Sequence, residues 1–152
     1  MKIRNRIKEL RMIKASELMP NPKNWRTHPQ SQQDALKGIL AEVGYADALL
    51  ARKLPDGSLM LVDGHLRAES TPDLEVPVLI LDITESEADK LLLSLDPLSA
   101  MAGTDALALD SLLREVNTGS EALSQMFADM AAEAGLYQDN EKEIFEDEVP
   151  EP

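Results

Sequence analysis

Length, composition and charge set broad limits on what this 152-residue chain can be. It has no cysteine, which excludes disulfides and thiol chemistry, and its formal net charge of −13 excludes a wholly basic DNA-binding surface. No apolar run approaches the roughly 20 residues of a membrane span, and the start lacks the apolar stretch of a secretory signal. We therefore expect a cytoplasmic protein with no membrane partner.

The charge is distributed unevenly between the two ends of the chain. Residues 1–14 contain six basic side chains and one acidic one, whereas residues 138–152 contain seven acidic side chains and one basic one. The basic end is either a solvated segment or an arm that touches nucleic acid or an acidic partner. We predict four segments, namely a basic N-terminal arm (1–8), an α/β domain (9–100), a C-terminal helical pair (101–136) and a disordered acidic tail (137–152).

Four strands are predicted by apolar runs that turn residues interrupt. They lie at residues 9–14, 48–54, 58–62 and 76–81. The second and third flank Pro55-Asp56-Gly57, which is typical of a β-hairpin. The fourth is a nearly continuous apolar run, which predicts a strand that is buried on both faces and has Pro77 at its start.

Five helices are predicted by apolar residues at helical spacing. They begin near Ser31, at His65, after a Thr84 cap, after a Thr104 cap and after a Ser120 cap. Thr84 and Glu87 form a capping box, and Gly44 and Gly135 end the first and last helices. The last two helices carry apolar stripes, at Leu107, Leu112, Leu113 and Val116, and at Leu123, Met126, Phe127, Met130 and Ala134. The predicted fold class is α/β (α+β), with a small mixed sheet, flanking helices and further helices at the C-terminal end.

The segment from Leu61 to Arg67 carries the clearest chemical signal. An apolar strand meets Asp63 and Gly64, and a helix with Arg67 in its first turn follows. Glycine lets backbone N–H groups approach an anion, the helix start offers unpaired donors, and arginine can form two parallel hydrogen bonds to phosphate. Taken alone, the pattern is more typical of an ordinary strand-to-helix turn with Arg67 on the surface, and a phosphate-binding turn is the alternative.

A second cationic cluster lies in the loop Asn21-Pro22-Lys23-Asn24-Trp25-Arg26. Its arginine and the one in the glycine turn could converge on the same anion. Trp25 could stack on a base or on Arg26, or it could be a packing residue. With two histidines and no cysteine, no spacing in the chain matches a zinc motif, so we expect no transition-metal site.

The order of these features over residues 9–117 resembles the ParB/sulfiredoxin-type family, also called ParB-like nuclease domains. The resemblance rests on the N-P-K-N-W-R loop, the helix ending in Gly44, the hairpin, the D-G-H-L-R segment, the V-P-V-L-I-L-D strand and a leucine-rich helix. The D-G-H-L-R segment is most similar to members that phages and mobile elements encode or that precede DNA methyltransferases. The resemblance implies a ParB/sulfiredoxin-like domain over residues 9–100.

The resemblance also implies a ligand and the residues that bind it. The ligand would be a nucleoside triphosphate, CTP or ATP, with Mg²⁺. Gly64, His65 and Arg67 would hold its phosphates, and Asp63 would orient the turn. Asn24 and Arg26 would approach from the other loop.

The chain also departs from known members of the family. His65 stands where sulfiredoxins place a cysteine, which excludes sulfinic-acid reduction. Residues 94–98 read S-L-D-P-L, where members commonly carry an asparagine.

The function implied is a nucleotide-phosphate-binding module that acts with DNA or a DNA-modifying partner. Because the chain is acidic, DNA contact would be indirect or supplied by a partner protein. One alternative is a Mg²⁺-dependent small-molecule kinase or a nuclease of the same fold, with Asp47 and Asp63 as the acids to inspect. Another is a pure protein-interaction scaffold. Catalytic residues are not assigned, and a homodimer is left open.

Overall fold

A computed structural model describes residues 1–136, so the predicted acidic tail lies outside the described residues. The chain forms two compact units, Met1–Ala102 and a second that begins at Gly103. The first strand starts at Ile7 and so includes two residues of the predicted arm. The division into arm, domain, helical pair and tail stays a prediction.

The first unit is built around a four-stranded mixed sheet. Its strands are β1 (Ile7–Lys14), β2 (Leu49–Lys53), β3 (Leu59–Asp63) and β4 (Glu75–Leu81). They lie in the order β1-β4-β2-β3, with β1 and β4 antiparallel, β2 and β4 parallel, and β2 and β3 joined as the predicted hairpin. Together with the flanking helices, this sheet confirms the predicted fold class.

Pro77 lies inside the inner strand β4 rather than at its start. The N–H of Ala15 donates to the carbonyl of Leu74 at 2.9 Å, so these two residues form a hydrogen-bonded pair. Three residues earlier along β1, Met12 lies opposite Pro77. Hydrogen-bonded and non-hydrogen-bonded pairs alternate in an antiparallel ladder, so Met12 and Pro77 form a non-hydrogen-bonded pair. The proline therefore removes no bond to β1, and β2 pairs with β4 only from Val78 onward.

The buried core lies on one face of the sheet. Its members are Ile13, Ala15, Leu18, Leu49, Ala51, Leu59, Leu61, Ala68, Val76, Val78 and Ile80. The other face is only partly covered, because Leu10 and Met12 are exposed and Pro77 and Leu79 are half-buried. Leu81, which shares this face of β4, is buried, so the prediction that the fourth strand is buried on both faces holds only in part.

The five predicted helices are all present. They are α1 (Gln30–Glu42), α2 (His65–Ser70), α3 (Glu85–Ala100), α4 (Ala106–Glu115) and α5 (Glu121–Glu133). Gly44 and Gly135 adopt positive φ just after α1 and α5, and Thr84 and Glu87 form the predicted capping box at α3. Within residues 1–136, no helix combines the length and the apolar character needed to cross a membrane.

The second unit contains α4 and α5. The cap of α4 is Asp105, whose carboxylate accepts from the N–H of Ala108 at 3.1 Å, so the prediction of a Thr104 cap is wrong by one residue. Ser120 caps α5 as predicted. Leu123 and Ala131 are buried on α5, whereas Leu107 on α4 is 83% exposed.

Candidate phosphate-binding turn

Gly64 joins the end of β3 to the start of α2 in a conformation that favours glycine. Its φ of 100° lies in the left-handed region. A Cβ at this position would lie 2.6 Å from Cγ of Leu49, which is fully buried, and 3.2 Å from a terminal nitrogen of Arg67. The turn therefore needs glycine for its backbone angle and for its close approach to β2.

The first turn of α2 presents free backbone donors. Its first helical hydrogen bond runs from the N–H of Ala68 to the carbonyl of Gly64 at 3.0 Å. The preceding N–H groups, of His65, Leu66 and Arg67, find no acceptor within residues 1–136. Such groups are the donors with which a helix start can bind an anion.

Arg67 is held beside the turn by two carboxylates. Its guanidinium lies 3.2 Å from Oδ2 of Asp47 and 3.3 Å from Oδ2 of Asp63, and its side chain is 15% exposed. The hydroxyls of Tyr45 and Thr71 donate to its carbonyl oxygen at 3.0 and 2.8 Å. Because the Asp47 side chain is 84% exposed, that ion pair is the weaker and more replaceable of the two.

His65 is turned into the protein. Its side chain is buried, and its Nε2 accepts a hydrogen bond from the N–H of Asn21 at 3.2 Å. Burial lowers the pKa of the imidazole, which favours the neutral ring with its proton on Nδ1. His65 therefore connects the start of α2 to the loop that follows β1.

Asn21 is a site-forming residue to which the sequence analysis gave no role. Its side chain donates to the carbonyl of Leu61 at 3.2 Å and accepts from the N–H of Lys23 at 2.9 Å. The second bond closes an Asx-turn around Pro22. An asparagine directly before proline after a strand was the available signal for such a turn.

The loop side chains that follow Asn21 contact one face of α3. Lys23 pairs with Asp89 at 3.0 Å and with Glu85 at 3.3 Å, and these hydrogen bonds raise the pKa of the lysine. The indole N–H of Trp25 donates to the carbonyl of Leu92 at 2.9 Å. These α3 residues are spaced so that they share one side of a helix.

Arg26 also contacts α3, whereas Asn24 bonds only within its own loop in the described residues. Arg26 pairs with Asp96 at 3.1 Å and stacks over the ring of Trp25, 4.9 Å from its centroid. The side chain of Asn24 accepts from the N–H of Arg26 at 3.3 Å. Within residues 1–136, neither residue bonds to the Gly64 turn, because α3 supplies the partners of the loop. Their predicted contact with phosphate stays a prediction.

The structure thus brings Asp63, Gly64 and Arg67 together and adds Asp47 as a second carboxylate. Among the residues that the structure describes, no group of three or more histidine, cysteine, aspartate or glutamate side chains could hold a metal ion. A groove lined in part by Arg11, Lys14 and Glu75 contains none of the predicted site residues. The turn therefore combines three backbone N–H groups without an acceptor in residues 1–136 with one arginine that two carboxylates already contact.

Comparisons by sequence find nothing, whereas comparisons by structure find clear matches. No protein-family model and no curated protein match the chain. The C-terminally truncated chromosome-partitioning protein ParB from Caulobacter crescentus, complexed with CTP-γ-S, matches with a TM-score of 0.57 and 19% identity. That match covers 79% of this chain and 71% of the other.

Two further structures match less closely. The truncated Caulobacter crescentus ParB complexed to the centromeric parS site gives a TM-score of 0.46 and 16% identity, over 80% of this chain and 65% of that one. A Pnob8-like ParB-N domain gives a TM-score of 0.45 and 17% identity, over 90% of this chain and 52% of that one. The chain therefore spans less than two thirds of the length of each of these two structures.

The first match shows that the chain shares the α/β fold of a ParB partition protein. This confirms the ParB-like fold that the sequence implied. Association with phages, mobile elements or DNA methyltransferases stays a prediction.

Proposed function

We propose that this protein is a nucleotide-binding module of ParB-like fold, in which the turn from Asp63 to Arg67 binds phosphate. The observation that supports this most directly is the turn itself. Three backbone N–H groups for which residues 1–136 supply no acceptor lie beside a largely buried arginine. The ParB structure of similar fold is a complex with CTP-γ-S, which is the same class of ligand.

Each residue of the turn has a part in this proposal. The N–H groups of α2 donate to phosphate oxygens, and Gly64 allows the phosphate to come close to the backbone. Arg67 gives up its ion pair with the exposed Asp47 and binds the phosphate instead. Its ion pair with Asp63 keeps the guanidinium oriented. His65 contributes by fixing the Asn21 loop through its Nε2.

Magnesium fits the same group of residues. Mg²⁺ in nucleotide sites usually takes one or two carboxylates together with phosphate oxygens. Asp47 and Asp63 supply two carboxylates, and both contact Arg67. The ion would neutralise part of the phosphate charge that these carboxylates otherwise repel.

In this proposed function the module acts in the cytoplasm and contacts DNA through a partner. A net charge of −13 opposes strong direct binding to a phosphate backbone, so a DNA-modifying or DNA-binding partner would supply that affinity. The D-G-H-L-R segment resembles phage, mobile-element and methyltransferase-associated members, which sets the proposed context. Nucleotide binding would then control contact with the partner.

The test is a thermal-shift and calorimetry series with CTP, ATP, GTP and ADP, with and without Mg²⁺. A ligand at about ten times its Kd stabilises the folded state by about 1.4 kcal/mol, which raises the melting temperature by several degrees. Arg67→Ala should abolish that shift. Arg114→Ala is the matched control, because Arg114 pairs with Asp110 four residues earlier, as Arg67 pairs with Asp63. No binding by wild type, or equal binding by Arg67→Ala, would refute the site.

A protein-interaction scaffold is the second candidate. It is favoured by Asp47 and Asp63, because their carboxylates already compensate the charge of Arg67 without a bound phosphate. In a scaffold Arg67→Ala would lower stability, and no nucleotide would raise the melting temperature of the wild type. Assays of nucleotide turnover on the same samples would separate a binding module from the Mg²⁺-dependent enzyme.

A further inference from the structure

The N-terminal segment carries basic side chains that the proposed phosphate site does not use. Residues 1–8 contain four basic residues and no acidic one. Arg6 anchors this segment, because its guanidinium donates to Glu87 at 2.7 and 2.9 Å and to the carbonyl of Asp82 at 2.8 Å. The carbonyl of Arg6 accepts from the N–H of Asp82 at 2.8 Å. The segment is therefore fixed at the end of the sheet where β1 begins and β4 ends.

A second basic pair reaches the same end of the sheet through the strand order. β4 lies between β1 and β2, and Leu81 pairs with Ile7 on one side and with Arg52 on the other. Neighbouring strands lie about 4.8 Å apart, so the Cα atoms of Ile7 and Arg52 are about 10 Å apart. Lys53 ends β2 one residue further on. Two segments that are distant in sequence therefore place their cations at one end of the sheet.

The cations at this end have few counter-charges. We call them the basic end, which consists of Lys2, Arg4, Lys8, Arg52 and Lys53. Within residues 1–136, four of the five form no ion pair, and the fifth, Arg4, lies 3.9 Å from Glu87 with its side chain 72% exposed. Glu87 itself is already bound by Arg6. Asp56 and Asp82 are the acids that follow β2 and β4 here, so the end keeps a net positive charge.

A local cluster of this kind can act although the whole chain is acidic. At physiological ionic strength, interactions between exposed charges more than about 8 Å apart are largely screened. The net charge of −13 therefore weakens long-range attraction to a polyanion, but it does not cancel a contact made at the basic end.

The repeating phosphates of a nucleic-acid backbone fit this arrangement. Duplex DNA presents one negative charge per about 1.7 Å of its axis, so a surface about 10 Å across faces several phosphates. A specific acidic peptide would also need a pocket for its apolar side chains. The groove lined in part by Arg11, Lys14 and Glu75 includes none of the five cations. The basic end therefore suits a phosphate backbone better than an acidic peptide.

We propose that the basic end contacts the phosphate backbone of DNA directly, without reading the DNA sequence. The contact is weak, and a partner still supplies most of the affinity in the proposed function. The inference goes beyond that function, because it does not depend on nucleotide binding at the Gly64 turn.

Fluorescence anisotropy of a labelled DNA duplex tests this contact in the full-length chain without nucleotide. Lys8→Gln combined with Lys53→Gln removes one cation from each of the two segments. Lys14→Gln combined with Lys37→Gln is the matched control, because both lysines are exposed and form no ion pair within residues 1–136. Lys14 lies at the other end of β1 and Lys37 lies on α1. Both double variants change the net charge by the same amount.

The dependence of binding on salt gives the expected result. Wild type should bind two duplexes of unrelated sequence equally at about 50 mM salt, and the logarithm of its binding constant should fall against the logarithm of salt concentration with a slope of about −3 to −4. The Lys8 and Lys53 variant should reduce the size of that slope by about 2 and the affinity by at least about tenfold, whereas the control should match the wild type.

Three results would overturn the proposal, namely no binding by wild type, a preference for one duplex, and equal weakening of both double variants. Binding of polyglutamate in place of the duplex would overturn it in favour of an acidic protein partner.

Discussion

Replacing Gly64 by alanine should destabilise the first unit through two separate effects. An L-residue in the left-handed region costs about 1–2 kcal/mol. The added Cβ would also lie 2.6 Å from Cγ of Leu49, which is fully buried and cannot turn away without disturbing the core. Overpacking a core of this kind costs about 1–3 kcal/mol. We expect Gly64→Ala to lower the free energy of unfolding by about 2–5 kcal/mol in total.

Gly57 provides a control that separates the two effects. Its φ is 89°, and an added Cβ would have nothing within 4 Å. Gly57→Ala should therefore show only the backbone cost of about 1–2 kcal/mol. The effect of alanine on the unfolded chain is common to both variants and largely cancels in the comparison.

Urea denaturation followed by circular dichroism measures both free energies. A Leu49→Ala background removes Cγ, the nearer of the two Leu49 atoms that the new Cβ would meet, so the additional cost of Gly64→Ala should fall towards that of Gly57→Ala. Equal costs for Gly64→Ala and Gly57→Ala would refute the steric clash with Leu49. So would an unchanged cost of Gly64→Ala in the Leu49→Ala background.

Two further predictions concern the effect of pH on stability. Two hydrogen bonds from Arg6, at 2.7 and 2.9 Å, lower the pKa of Glu87 from 4.5 to about 2. The ionised Glu87 therefore stabilises the fold above pH 4.5, and this stabilisation is lost as the pH falls towards 2. Glu87→Gln should flatten the denaturation profile in that window, and an unchanged slope would contradict the assignment. Burial lowers the pKa of His65 below 6.5, so the wild type should lose stability as pH falls below 6.5. His65→Gln should lose less between about pH 7 and about pH 5, and an equal loss would argue against buried neutral imidazole.

Local signals in the sequence predicted most of the secondary structure. The hairpin, the Thr84 capping box and the glycine after α1 each depend on residues that are close along the chain. The cap of α4 was missed because Thr104 and Asp105 are adjacent residues that can both cap a helix. The burial of β4 was overestimated because an apolar run does not show whether another element covers its second face.

The difference between contacts that are local in sequence and contacts between distant segments also applies to the turn at Gly64. Asp63, Gly64 and Arg67 lie within five residues, so their proximity follows directly from a strand, a turn and a helix start. Asp47 reaches Arg67 only because the hairpin brings the start of β2 beside the end of β3. Asp47 was named from the sequence only as an acid to inspect for the Mg²⁺-dependent alternative, and its pairing with Arg67 could not be predicted.

The position of Arg26 could not be predicted without knowing which other groups compete for it. The sequence shows a cation in a loop and a candidate anion site, and the simplest hypothesis was that the two are in contact. The structure shows that Asp96 and the Trp25 ring already hold this arginine, while Glu85 and Asp89 hold the neighbouring lysine. A phosphate would have to replace an ion pair and a stacking contact to recruit Arg26, whereas Arg67 is already beside the free N–H groups of α2. Phosphate binding at the turn should therefore depend on Arg67 first, and on Arg26 only if a ligand also displaces the loop from α3.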